Sequence, residues 1–365
     1  MMSQAKLYCL ATDMNLHSSS DIPHGAVLNT IATPPVISGW TPGDEANFGR
    51  KPFFLSHTLA GHPLFQLDRL HQLAQDIHAA TLDRLSCDCC LRIWRDRPDL
   101  SGTERMSSWR SKIQVELARE DFTDALAALF ADFRAGRGSM SIMLCLADQI
   151  DPDFRALLAR ERSEIAAIAG VAAPDITFSG LTVIISAPEA VTPYHNDLEQ
   201  NVLFQIQGCK DVYLYSQDDP VVLPQDVIEA VAAGDGAAAR YRAEISNREA
   251  CYRLEPGLAV HHPLLAPHWV KNDRNLSVSA SMFLNTRASD ELAHAHQANR
   301  ILRQMGVHPP PPDLSQPADR LKALMLRKMS GPRDSYSSLY RGMERLKDAT
   351  APLRRALDAI RRRAA

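Results

Sequence analysis

No apolar stretch in these 365 residues approaches the roughly 20 needed to cross a bilayer, so no membrane span is expected. The N-terminus has no basic segment leading into an apolar run, so no secretory signal is expected either. Cysteines are few and ill-matched: seven, at positions 9, 87, 89, 90, 145, 209 and 251, odd in number and irregular in spacing. That excludes a disulfide framework and points to reduced thiols in a cytoplasmic protein. Cys87, Cys89 and Cys90 cluster, but they lack the CxxC pair and second pair of a structural zinc site, and are expected to be ordinary thiols. Charge of one sign is also missing, since a net −3 is not that of a nucleic-acid clamp. There is no internal repeat. What is present is ordinary globular composition, 45% hydrophobic and 23% charged, which excludes a disordered, collagen-like or coiled-coil chain. The length suffices for one large domain with appendages or for two domains.

Residues 1–50 show little periodicity and are expected to be irregular, with at most one early strand. Apolar residues at helical spacing predict helices over 63–77 and 121–133, and 139–146 is an apolar run of strand length. Asp151 before Pro152 predicts a helix N-terminus, with Phe154, Leu157, Leu158, Ile165 and Ile168 as its buried stripe and Gly170 as its end. From about 176 to 286 short β-branched and apolar runs alternate with turn signals, the pattern of a sandwich or barrel. A helical insertion is expected over about 224–244. Residues 288–304 read as a helix, and prolines 309–312 break the chain. The last 47 residues carry 13 basic and 5 acidic side chains, a basic helical tail. The expected organisation is therefore an irregular segment 1–50, a main strand-rich domain 51–286 and a helical C-terminal region 287–365.

Chemistry concentrates in residues 192–210. His195 and Asp197 are two apart, which on a strand puts an imidazole and a carboxylate on one face. Together they can supply two ligands to a divalent metal. His268, just before the run 276–284, is the best third candidate, although His261 and His262 compete for that place. Two histidines and one carboxylate leave open coordination positions, the arrangement of non-heme Fe(II) oxygenases. Asn201 and Leu203 share one face of the next run, with Val202, Phe204 and Ile206 on the other. Lys210 can hold the far carboxylate of a dicarboxylate as a compact point charge, and Thr192 and Asn201 can add hydrogen bonds. Tyr194 is expected to point away from His195 as a structural residue.

The whole segment resembles the JmjC and cupin-like family of Fe(II)- and 2-oxoglutarate-dependent oxygenases. It is most similar to the branch containing the asparaginyl hydroxylase that acts on the hypoxia-inducible transcription factor. The shared pattern stands here as Thr192, Pro193, His195, Asp197, Asn201, Gln205, Ile206, Gly208 and Lys210. It continues in Leu254-Glu255-Pro256-Gly257, Pro263 and Pro267-His268-Trp269-Val270, and upstream in Lys51-Pro52-Phe53 and residues 57–70. The resemblance covers about residues 50–305 and places the family's histidine after Pro263, at His268. It implies a mainly β fold with flanking helices: a double-stranded β-helix of jelly-roll type over about 176–286, a helical N-terminal buttress and a helical C-terminal region. It implies Fe(II) on His195, Asp197 and His268, and 2-oxoglutarate on Lys210, Thr192 and Asn201. Ser281 falls where that branch carries an amide supporting the co-substrate.

The implied reaction consumes O2, decarboxylates 2-oxoglutarate to succinate and hydroxylates an unactivated C–H of a protein, peptide or small metabolite. Demethylation is the same chemistry with loss of formaldehyde. The resemblance also implies a homodimer through the C-terminal helices. A 2-oxoglutarate-independent metal cupin and a non-catalytic binding protein with the tail on nucleic acid are the alternatives. Lys210 and Asn201 argue against the first and the intact triad against the second. The remaining histidines are expected at the surface or in packing, with His57 placed where it could line the substrate mouth.

Overall fold

The computed structural model describes residues 34–364 apart from 83–88 and positions 98, 108 and 119. Much of the expected irregular segment, with Cys9, and Cys87 of the thiol cluster lie outside the described residues. So do some of the basic side chains of the tail. The described cysteines form no disulfide.

The N-terminal half runs β1 (Ile37–Ser38), α1 (Pro42–Asn47), β2 (Phe53–His57), α2 (Leu67–Leu82), β3 (Cys90–Asp96), α3 (Gly102–Met106), β4 (Lys112–Val115), α4 (Phe122–Arg134), β5 (Met140–Cys145), α5 (Ala147–Ile150) and α6 (Pro152–Ile168). The strand-rich half follows: β6 (Ile176–Ser186), β7 (Val191–His195), β8 (Gln200–Gln207), β9 (Lys210–Leu214), α7 (Gln225–Ala232), β10 (Ala250–Leu254), β11 (Leu258–His262), β12 (His268–Asn272) and β13 (Ser277–Thr286). Helices α8 (Arg287–Gln304), α9 (Pro317–Ser330) and α10 (Ser338–Ala364) close the chain. Among the described residues the strands form a nine-stranded sheet, β1-β2-β11-β8-β13-β6-β5-β3-β4, and a four-stranded sheet, β10-β9-β12-β7. Successive strands from β6 to β9, and from β10 to β13, alternate between the two sheets.

Alternation along the strands sorts two cores. Val202, Phe204 and Ile206 of β8, Leu181, Val183 and Ile185 of β6, and Val278, Ala280, Met282 and Leu284 of β13 point to one face of the large sheet. There they meet Leu70, Leu73 and Ile77 of α2, Leu126, Leu129, Phe130 and Phe133 of α4, and Phe154, Leu158 and Ile165 of α6. The opposite face of the large sheet looks at the small one, and Leu203, Val260, Val212, Leu214, Leu254 and Val270 fill the space between. That inner layer is thinner in apolar residues, because Ser277, Ser279 and Ser281 of β13 point into it. Helix α6 begins where its sequence requires: Asp151 accepts hydrogen bonds from the amides of Asp153 (2.9 Å) and Phe154 (3.2 Å), with Pro152 at the first position.

Two expectations change. The N-terminal half is more than a helical buttress, because β2 and β3–β5 extend the large sheet on both sides. Strand β3 lacks a clean polar–apolar alternation because both its faces are covered: Ile93 packs toward the helices while Arg92 and Trp94 face the inner cavity. The insertion is helical only over α7. Gly234 turns the chain with φ +86°, and a single short 3-10 turn, Ala243–Ile245, follows.

Candidate metal centre and its cavity

Strands β7 and β12 are neighbours, and their register sets His195 directly opposite His268. The rings lie 4.2 Å apart between centroids. Strand β7 ends at His195, so Asp197 comes from the segment just beyond it rather than from the strand itself. Its carboxylate nevertheless turns back between the rings: Oδ1 is 3.9 Å from His195 Nε2 and Oδ2 is 3.8 Å from His268 Nε2. One ligand atom from each residue lies within 4.8 Å of the others.

The two imidazoles are fixed from behind. His195 Nδ1 is 2.7 Å from the Pro193 carbonyl and His268 Nδ1 is 3.0 Å from the Ala266 carbonyl. Donation at Nδ1 leaves both Nε2 lone pairs facing the carboxylate, the tautomer and aim that metal-ligating histidines need. Burial, and next the neighbouring His195, push His268 down to about 4, only partly offset by Asp197. It is thus a neutral ligand at neutral pH. Two imidazoles and one carboxylate on one side of a common point fit a divalent transition metal with open positions opposite.

The cluster opens into a cavity of about 230 Å3, at the small end of ligand sites. Thr192, Lys210, Asn201 and Ser281 all line it, so the expected co-substrate residues share one space with the triad. Lys210 is 3% exposed, and no hydrogen bond or ion pair holds its ammonium among the described residues. Burial alone pulls it down to about 7. Asn201 and Ser281 are paired, the hydroxyl lying 2.8 Å from Nδ2 and 3.0 Å from Oδ1 of the amide. Gln205 braces the turn before Lys210: its Nε2 donates to the carbonyls of Gln207 (2.7 Å) and Gly208 (2.9 Å), and its Oε1 accepts from Ser279 (2.8 Å).

Strand alternation separates the competing histidines. His261 points away from the cavity, accepts from the Gly49 amide at 2.9 Å and stacks on Phe48. His262 points into the cavity, 4.6 Å from His268, without joining the cluster of ligand atoms. Tyr194 is buried on the far side, its hydroxyl 3.4 Å from the Val222 carbonyl. His57 is not at the mouth. Its Nε2 lies 3.0 Å from the Gln205 carbonyl and 3.1 Å from that of Leu258, and its ring packs edge-on to Phe204 in the outer core.

Several lining residues were not anticipated. Trp109 stands 5.4 Å from His195, with Trp94 behind it and Arg92 on the same strand face. Glu199 is 5% exposed, pushed up to about 8 by burial and then by Asp197, and within reach of Tyr336. Tyr336 and Tyr340 arrive from the C-terminal region. Only Glu199 carried a local signal, being two residues from Asp197. The others meet the site through tertiary packing.

The chain matches no known family model and no curated protein. Among solved structures it is similar to Escherichia coli ycfD, at 14% identity over 83% of this chain and 70% of that one, with a TM-score of 0.44. A structure of YcfD, named a ribosomal oxygenase, in complex with cobalt and 2-oxoglutarate aligns at 15% identity over 78% and 65%, with a TM-score of 0.38. An oxalate decarboxylase from Bacillus subtilis aligns at 12% identity over 30% and 22%, with a TM-score of 0.21. None of these likenesses is close enough to carry a function to this chain.

Proposed function

We propose that the chain is an Fe(II)- and 2-oxoglutarate-dependent oxygenase of the JmjC and cupin-like kind, its alternating strands β6–β13 forming a double-stranded β-helix. The observation that carries this reading is the convergence of His195, Asp197 and His268 on one point in a cavity that also holds the unpaired ammonium of Lys210. Fe(II) held by the triad would supply the activation of O2 coupled to decarboxylation of 2-oxoglutarate to succinate.

The protein's own residues supply the rest. His268 stays neutral, and both imidazoles are aimed by their backbone hydrogen bonds, so the site is preorganised before any ligand arrives. Lys210 neutralises the distal carboxylate of 2-oxoglutarate. Its partner across β9–β12 is Asn272, four strand residues from His268, or about 13 Å along the strand. A lysine reaching back and a five-carbon dicarboxylate reaching forward can share that span. Thr192 and the Asn201–Ser281 pair add neutral hydrogen-bonding groups along it. A buried charge without a partner is costly, so the pocket selects a dianion over a monocarboxylate. Trp109, Glu199, Tyr336 and Tyr340 bound the space left for the substrate: a protein side chain, a peptide or a small metabolite hydroxylated at an unactivated C–H. The similarity to the asparaginyl hydroxylase branch rests on residues 192–210. Leu321, Leu324 and Met325, exposed on α9, support a homodimer through the C-terminal helices, and the unbridged thiols support a cytoplasmic setting.

The test is anaerobic titration of the metal-free protein with Fe(II) and then 2-oxoglutarate, read as the visible metal-to-ligand charge-transfer band. The band is expected in the wild type, absent in His195→Ala and weakened in Lys210→Ala. Bound iron with no band on adding 2-oxoglutarate would overturn the oxygenase reading in favour of a 2-oxoglutarate-independent cupin.

A further inference from the structure

His262 is the last residue of β11, and its side chain turns into the cavity between the sheets. It is 3% exposed, yet neither Nδ1 nor Nε2 has a hydrogen-bond partner. The other buried histidines differ. His57, His261, His268, His294 and His296 each have at least one ring nitrogen within hydrogen-bond distance of a partner. A buried imidazole with no protein partner costs free energy that an aliphatic side chain of similar volume would not, so stability alone does not account for a histidine here. The surroundings place it. Across the β11–β8 ladder His262 stands opposite Asn201, whose amide is paired with Ser281. On its other side it meets His268 edge-on, at 76°. It therefore borders the metal end of the cavity, whereas Lys210 belongs to the opposite end, and it is not itself one of the clustered ligands.

We propose that His262 is a co-substrate-binding residue whose imidazole donates a hydrogen bond to the metal-proximal, keto-acid end of 2-oxoglutarate. This rests on the function proposed above and extends it. The keto-acid end is anionic and rich in acceptors, and a neutral imidazole offers it one N–H. A hydrogen bond to a charged acceptor in a water-poor cavity is among the stronger ones available. Lys210 and His262 then grip opposite ends of the dianion, one by charge and one by direction.

The test compares wild type, His262→Leu and His262→Gln, loaded anaerobically with Mn(II) and titrated calorimetrically with 2-oxoglutarate. Mn(II) affinity is measured separately. For His262→Leu the expected result is a loss of 2-oxoglutarate affinity of about 10- to 100-fold, with Mn(II) affinity within about threefold of wild type. The melting temperature of its ligand-free form should equal or exceed that of wild type, which separates lost recognition from misfolding. His262→Gln, which keeps an N–H donor, should recover part of the affinity. Wild-type binding with undiminished affinity in His262→Leu would overturn the proposal alone. No 2-oxoglutarate binding by metal-loaded wild type would overturn it together with the oxygenase reading.

Discussion

Lys210 is an ammonium 3% exposed, facing no carboxylate among the described residues and drawn down by burial from 10.5 to about 7. Between those two values the unfolded chain holds a proton that the folded protein lacks, so stability rises with pH across this window. The burial penalty is therefore full below pH 7 and gone above 10.5. Lys210→Met, which keeps the bulk and removes the charge, should stabilise the ligand-free protein by roughly 2–5 kcal/mol near pH 6.5. The gain should shrink markedly by pH 9, as read by urea midpoints at the two values. A gain independent of pH would mean that the lysine is not the titrating group. The same linkage predicts proton uptake when 2-oxoglutarate binds. At pH 8 a largely neutral Lys210 must become charged to meet the distal carboxylate. Calorimetry in two buffers of different ionisation enthalpy should show uptake approaching one proton in the wild type and much less in Lys210→Met.

At the level of the elements, the β8–β9 turn carries the site. It takes the chain from the large sheet to the small one in two residues and delivers Lys210 into the cavity. Gly208 makes this possible with φ +71°, and a Cβ there would stand 2.3 Å from the Leu276 carbonyl oxygen. Gly208→Ala should cost about 2–3 kcal/mol, combining left-handed backbone strain with a backbone clash, measurable as a lowered urea midpoint. It should also weaken 2-oxoglutarate binding by displacing Lys210, whereas metal affinity, set on β7, the segment just after it and β12, should change little. Much of this was legible in sequence. Residues 192–210 combine strand alternation with fixed spacings, so the faces of β8 and the placement of Asn201 and Lys210 follow from period two. Alternation alone could not say which of His261 and His262 faces inward, because both neighbours are buried and apolar pattern gives no direction. Strand β3 was hidden for a related reason: with both faces covered, Arg92 and Trp94 look inward while Leu91 and Ile93 look outward, and no binary pattern remains. Trp109, Tyr336 and Tyr340 belong to segments far away in sequence, and only tertiary packing brings them to the cavity.

Over the whole molecule, the C-terminal region is part of the site as well as a candidate dimer surface. The segment between α9 and α10 is joined to the β13–α8 junction by one side chain. Arg333 donates to the Tyr336 carbonyl (2.8 Å), Ser338 Oγ (3.0 Å) and Asn285 Oδ1 (3.2 Å), lies 3.6 Å from the Asp290 carboxylate and covers the Phe178 ring at 4.7 Å. Tyr336 and Tyr340 are carried into the cavity by the backbone that Arg333 fixes. Asp290 is 6% exposed, and besides Arg333 it has the Thr177 hydroxyl at 2.6 Å. Arg333→Ala should therefore destabilise by about 2–4 kcal/mol, since it strands a buried carboxylate as well as removing contacts. Adding Asp290→Asn should restore part of the loss, with a coupling of about 1–3 kcal/mol in the double-mutant cycle. Hydrogen exchange should rise over residues 336–343, at the start of α10. The 2-oxoglutarate affinity of the metal-loaded variant should stay within a few-fold of wild type, because His262, Asn201 and Lys210 stand on the sheets and not on this segment. If co-substrate affinity fell as far as it does in Lys210→Ala, the C-terminal segment would have to help build the co-substrate end of the cavity. If it holds while exchange at 336–343 rises, the molecule divides into a rigid β floor that fixes metal and co-substrate and a helical wall, tied down by Arg333, that shapes the space for the substrate.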